Sequence, residues 1–135
     1  MSEKELRQSP MMAHLLDALE RGDDIGHYGR LTFAMIGRHF LDRDELVTWL
    51  AKDGDTDEHK AKSLVQQVQD RDYNPPSRRR ILEWQGQQDF AICPNPDDPD
   101  ACNPYRELNI PEQVLEDIEE YREQKFDAEE PGGSS

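Results

Sequence analysis

The segment RLTFAMIGRHFL, residues 30 to 41, sets the fold class of the chain. Its large apolar side chains recur at helical spacing but on overlapping faces, so the helix keeps no clear polar side for solvent. These side chains are Leu31, Phe33, Met35, Ile36, Phe40 and Leu41. A helix that is apolar all round is normally buried, so the segment predicts a central helix with the other elements packed around it.

Capping signals and periodic apolar residues predict further helices on both sides. Ser9 before Pro10 is typical of an N-cap followed by the first helical residue. Asp42 with Glu45 matches a capping box, and Thr56 is placed to cap the next helix. The predicted helices cover about 10 to 21, 30 to 41, 42 to 50, 57 to 71, 77 to 86 and 111 to 126.

No segment has the pattern of a strand, so we expect an all-α, compact single-domain bundle of about six helices. A long irregular loop is predicted near residues 87 to 110, where prolines, asparagines and aspartates replace any period. Residues 1 to 8 are expected to be a flexible N-terminus, 9 to 126 the helical domain, and 127 to 135 a disordered acidic tail rich in glycine and serine.

Charge is distributed unevenly along the 135 residues, whose formal net charge is -14. Residues 1 to 96 hold 17 acidic and 13 basic residues, whereas residues 97 to 135 hold 13 acidic and 3 basic ones. Because salt screens charges beyond about 8 Å, acid in the last third does not exclude an anion site elsewhere. No apolar run approaches the roughly 20 residues of a membrane span, and the N-terminus does not look like a signal peptide, so a cytoplasmic protein is expected.

The sequence lacks the usual patterns of phosphate loops, nucleophile elbows and zinc modules. Two polar groups of residues remain as candidates. One is His27, Tyr28 and Arg30 at the start of the central helix, continued by Arg38. The other surrounds the double proline and consists of Tyr73, Arg78, Arg79 and Arg80. Arginine presents a fork of donors that fits phosphate, and a helix N-terminus favours anions, so the chemistry of these residues is compatible with an anionic ligand.

The order of segments resembles the C-terminal iron-sulfur domain of the archaeal and eukaryotic DNA primase large subunit. The matching stretches are SPMMAHLLDAL, GHYGRLTFAMIGRHFL, DELVTWL, DYNPPS and ICP, which together span about residues 9 to 103. The resemblance implies a mostly helical domain that grips template and the 5'-triphosphate end of a primer. His27 and Arg30 fall at the positions of that grip, with Arg38 at a later basic position, and the segment of the three arginines packs near the same site in the family.

The chain departs from the family at the positions that hold its four-iron cluster. Met11 and Arg78 stand where two ligand cysteines are expected, and only Cys93 clearly keeps its place. A thioether or a guanidinium cannot replace a thiolate, so we expect a relative without the cluster and without another cofactor. Cys93 and Cys102 are weak zinc candidates, and in an intracellular chain reduced thiols are favoured over a disulfide.

The resulting hypothesis is a non-catalytic accessory domain that binds single-stranded DNA or RNA, or a primer-template, beside a separate primase or polymerase catalytic subunit. An alternative is a helical protein-interaction module without the cluster, with an acidic docking surface. Each candidate residue also has a structural interpretation. His27 and Arg30 could belong to a buried hydrogen-bond network, and the three arginines could be a solvated helix face that pairs with nearby acids.

Overall fold

The computed structural model describes residues 3–71, 76 and 78–94. Within these ranges the chain forms six helices and no strand. In chain order they are α1 Glu3–Leu6, α2 Pro10–Glu20, α3 Gly26–Gly37, α4 Arg43–Leu50, α5 Glu58–Arg71 and α6 Arg78–Gln85. The described part of the protein is therefore all-α, as the apolar periodicity predicted.

Helix α3 is the centre of the fold. It packs against α2, α4, α5 and α6, and Phe33 and Ile36 are fully buried. The central position predicted from RLTFAMIGRHFL is confirmed, but the helix begins four residues earlier, at Gly26, and ends at Gly37. Turns replace the helix after Gly37, whose carbonyl accepts from the N–H groups of Phe40 and Leu41.

The remaining core comes from one face of each surrounding helix. Its fully buried large side chains outside α3 include Leu6, Met11, Met12, Leu15, Leu16, Leu19, Leu46, Leu50, Val65 and Ile81. Burying one side chain of this size contributes about 1.5 to 3 kcal/mol. Leu6 belongs to the short α1, so part of the segment assigned to a flexible N-terminus is helical and packed on the core.

Two of the three predicted helix caps are confirmed. The Ser9 hydroxyl accepts from the N–H of Met12 at 3.3 Å, and Asp42 forms a complete capping box with Glu45. The third prediction, Thr56 as the cap of α5, is wrong. Asp57 takes that role, because its carboxylate accepts from the N–H of Lys60 at 2.8 Å, whereas the Thr56 hydroxyl donates to Asp53.

Several predictions concern residues outside the described ranges. They are the final helix from residue 111, the tail from 127, and the greater part of the loop from 87 to 110. The described beginning of that loop, residues 87 to 94, is irregular as expected. No helix in the described part of the chain is long and apolar enough to cross a membrane.

Candidate nucleic-acid interface

A polar pocket lies between the first turns of α3 and α5, and we call it the α3–α5 pocket. It has a volume of about 480 Å³. Its lining consists of His27, Arg30, Asp55, Thr56, His59, Lys60, Ser63, Leu64 and Gln67. Four of these side chains are cations or become cations on protonation, and Asp55 is the single carboxylate. In a chain of net charge -14, this local composition is the kind that attracts an anion.

Arg30 contributes to the α3–α5 pocket but is also tied to carboxylates behind it. Its Nη1 donates to Asp53 at 3.0 Å and to Asp24 at 3.1 Å. The Arg30 side chain is 16% exposed and that of Asp53 is completely buried. A guanidinium has more N–H donors than these two bonds use, so Arg30 can hold its carboxylates and still face an anion.

Asp53 is the buried centre of the loop between α4 and α5. Besides Arg30, its carboxylate accepts from the N–H of Ile25 at 2.8 Å, the N–H of Asp55 at 2.8 Å and the hydroxyl of Thr56 at 3.1 Å. The carboxylate therefore fixes the start of α3 and the loop before α5 to each other. Because both lie beside the pocket, Asp53 sets the separation of its two walls.

The backbone N–H groups at the start of α3 are largely used within the protein. The N–H of Ile25 donates to Asp53, that of Gly26 to Asp24 at 2.9 Å, and that of Tyr28 to the Gln88 amide oxygen at 3.0 Å. The expectation that a free helix N-terminus would add to the phosphate grip is therefore not met at these three donors. The cationic groups at the pocket are therefore side chains and not these three backbone amides.

Tyr28 is held against the end of α6 and the segment that follows it. Its ring stacks on Trp84 with centroids 5.3 Å apart, and its hydroxyl donates to Gln87 at 3.3 Å. The His27 ring meets it edge-on at 5.2 Å. A nucleobase would have to compete with Trp84 for one face of the tyrosine ring. His27 itself is exposed at the pocket.

Of the other predicted binding residues, Arg38, Arg79 and Arg80 have described side chains, and none of the three belongs to the described pocket lining. Arg38 is the half-buried C-cap of α3, at the opposite end from His27. Arg79 and Arg80 are exposed on α6 and are not part of the described pocket lining. Tyr73 and the side chain of Arg78 lie outside the described residues.

Two of the positions compared with cluster ligands, Met11 and Cys93, lie among the described residues. Met11 is fully buried in the hydrophobic core. Cys93 is disulfide-bonded, which corrects the expectation of a reduced thiol, and its N–H donates to the Gln85 amide oxygen at 2.7 Å. Cys102 lies outside the described residues. Among the side chains that are described, no three His, Cys, Asp or Glu residues converge on a possible metal position.

The sequence interpretation missed two cationic residues of the pocket, His59 and Lys60. Neither residue was a candidate from the sequence, because only the packing of α5 on α3 brings them to the same pocket as His27. A signal was nevertheless present. His27 and the His59–Lys60 pair each occupy the first turn of a helix, where the helix dipole disfavours cations unless another interaction compensates.

No family model, no curated protein and no solved structure matches the chain.

Proposed function

We propose that the protein is a non-catalytic domain that binds the phosphorylated 5' end of single-stranded nucleic acid in the α3–α5 pocket. The observation that carries the proposal is the convergence of His27, Arg30, His59 and Lys60 on one pocket with a single carboxylate. Charge-assisted hydrogen bonds from such side chains to phosphate are short and strong, and they need no catalytic group.

The resemblance to the primase large-subunit domain supports the same assignment. Of the residues that it identifies, His27 and Arg30 line the pocket. We therefore propose that the domain acts beside a separate primase or polymerase catalytic subunit, without an iron-sulfur cluster. Arg38, Arg79 and Arg80 are left out of the proposed 5'-end site, because the described pocket lining does not contain them.

The proposal is tested by fluorescence anisotropy of a labelled single strand and of a primed template, each with and without a 5'-triphosphate, across a salt series. We expect saturable binding that prefers the triphosphate and weakens with salt, because phosphate contacts release counterions. His27→Ala and Lys60→Ala should each weaken binding by about 1.5 kcal/mol, or roughly tenfold, if each contacts phosphate.

Lys4→Ala is the matched control, because Lys4 is an exposed lysine on α1 and is not part of the described pocket lining. It removes the same charge and should leave affinity unchanged. Absence of binding by the intact protein at low salt would overturn the proposal. The alternative, a protein-interaction module with an acidic docking surface, would then be tested by titration with a basic protein.

A further inference from the structure

A second depression continues from the α3–α5 pocket along the exposed side of α5, and we call it the α5 trough. It has a volume of about 450 Å³. It shares His59, Ser63 and Gln67 with the pocket. Beyond them it is lined by Arg43, from the start of α4, and by Lys62, Gln66 and Asp70 of α5. The two depressions thus form one continuous polar surface.

The α5 trough is longer than a terminal phosphate needs. From residue 59 to residue 70 an α-helix rises about 16 Å at 1.5 Å per residue. A stacked strand advances only about 3.4 Å per nucleotide. The surface therefore has room for several nucleotides beyond the one whose 5' end occupies the pocket.

The chemistry of the α5 trough fits a sugar-phosphate backbone. Arg43 is exposed, and Lys62 pairs with Glu58 at 3.3 Å while both side chains remain more than half exposed. Exposed ion pairs contribute only about 0.2 to 1 kcal/mol, so Lys62 can exchange Glu58 for a phosphate at little cost. The amide of Gln67 adds neutral donors, and the Gln66 amide, which donates to Asp70 at 2.6 Å, has a second N–H to offer. The described lining of the pocket and the trough together contains one aliphatic side chain, Leu64 of the pocket, so an apolar peptide anchor has little to contact.

We propose that the α5 trough is a track for the backbone of single-stranded nucleic acid, which runs from a 5' end held in the α3–α5 pocket along α5 and is lined by Arg43 and Lys62. This inference rests on the proposed function and extends it from one terminal phosphate to the nucleotides that follow. It also assigns a role to Arg43, a cation in the first turn of α4, where the helix dipole disfavours positive charge.

The test compares two labelled ligands with the same 5'-triphosphate, a dinucleotide and a longer strand. The double variant Arg43→Ala, Lys62→Ala should bind the dinucleotide as well as the unmodified protein does. It should bind the longer strand more weakly, by roughly fivefold per lost contact at 0.1 M salt, with a salt dependence shallower by about 0.7 per contact. Asp70→Asn removes the carboxylate of the trough and should strengthen binding of the longer strand alone.

The outcomes separate the two proposals. If the double variant binds the longer strand unchanged while His27→Ala weakens both ligands, the track is overturned and the pocket stands. Equal weakening of both ligands by the double variant would also overturn the track, because the two surfaces would then act as one site. If neither ligand binds the intact protein, both proposals are overturned. Tighter binding of an acidic peptide than of the longer strand would overturn the track as a nucleic-acid surface.

Discussion

The hydrogen bonds around Asp53, which we call the Asp53 network, and the α5 trough hold their charged side chains in opposite environments, one buried and the other exposed. In the network, a completely buried carboxylate binds Arg30 and three further donors. In the trough, Arg43 and Lys62 are exposed, and the one ion pair of Lys62 lies in solvent. Breaking a buried pair leaves an uncompensated charge, whereas breaking an exposed pair costs little. The first arrangement therefore stabilises the fold, and the second is available to a ligand.

The largest effect that tests this comparison is expected at Asp53. Asp53→Asn keeps the shape of the side chain but replaces one accepting oxygen with an NH2 group. Both oxygens of Asp53 accept hydrogen bonds, so this NH2 group would face a donor. We expect a loss of about 3 kcal/mol in the free energy of unfolding, at the lower end for a buried pair because Arg30 stays partly solvated. Urea denaturation measures it.

Asp70→Asn is the matched control for Asp53→Asn. Asp70 is exposed near the C-terminal end of α5 and accepts from the Gln66 amide. Substitutions at such surface positions usually change stability by less than about 0.5 kcal/mol. Equal stability losses in the two variants would remove the distinction between a buried structural network and the exposed charges of the trough.

A substitution at Gly26 tests whether the hydrogen bonds of Gln88 also hold the start of α3 in place. Its φ is 80°, and a Cβ there would overlap the Gln88 amide, which binds Tyr28 and Ile25. We expect Gly26→Ala to cost about 2 kcal/mol, from left-handed backbone strain plus a disturbed hydrogen-bond bridge. The measurement is again the urea midpoint.

Gly22 supplies the comparison for Gly26→Ala. It has almost the same φ, 79°, but a Cβ there meets only the Lys52 carbonyl oxygen at 3.8 Å. Gly22→Ala should therefore cost only the backbone strain, about 1 kcal/mol. If the two variants lost the same stability, the Gln88 bridge would contribute nothing to the position of α3.

Arg30 belongs to both regions and should show an intermediate effect on stability. Arg30→Ala leaves Asp53 with its three other donors, so we expect a loss of about 1.5 kcal/mol. Introduced into Asp53→Asn, the same change should cost much less, because the partner charge is already gone. A double-mutant cycle in urea measures this coupling, and additive losses would contradict the ion pair. Anisotropy per folded molecule then shows separately whether Arg30 also contacts phosphate.

The sequence was sufficient for elements whose stabilising partners are near in the chain. The capping box of Asp42 and Glu45 and the cap at Ser9 act within one turn, so their patterns could be recognised directly. The earlier start of α3 could not be predicted, because Gln88 and Asp53 satisfy its N–H groups from distant positions. The residues of the candidate site show the same difference between near and distant partners. His27 and Arg30 were identified from one segment, but joining them to His59 and Lys60 required the packing of α5 on α3.

The smallest effect is expected at an exposed ion pair, that of Arg7 with Asp17. Arg7 donates to Asp17 at 2.7 Å on the surface, and this hydrogen bond holds the pKa of the Asp17 carboxyl below its usual value. A lowered folded-state pKa stabilises the protein above the unfolded pKa, and the contribution is lost as pH falls through the folded value. Asp17→Asn should therefore lower the Tm slightly at neutral pH and not at all once the carboxylate is protonated.

Glu20→Gln, whose contact with Arg7 is 3.9 Å, is the control and should change the Tm less. A Tm difference for Asp17→Asn that persisted unchanged in acid would mean that the carboxylate charge is irrelevant there. A loss as large as that of Asp53→Asn would mean that burial does not distinguish the stabilising charges of this protein from the exposed ones.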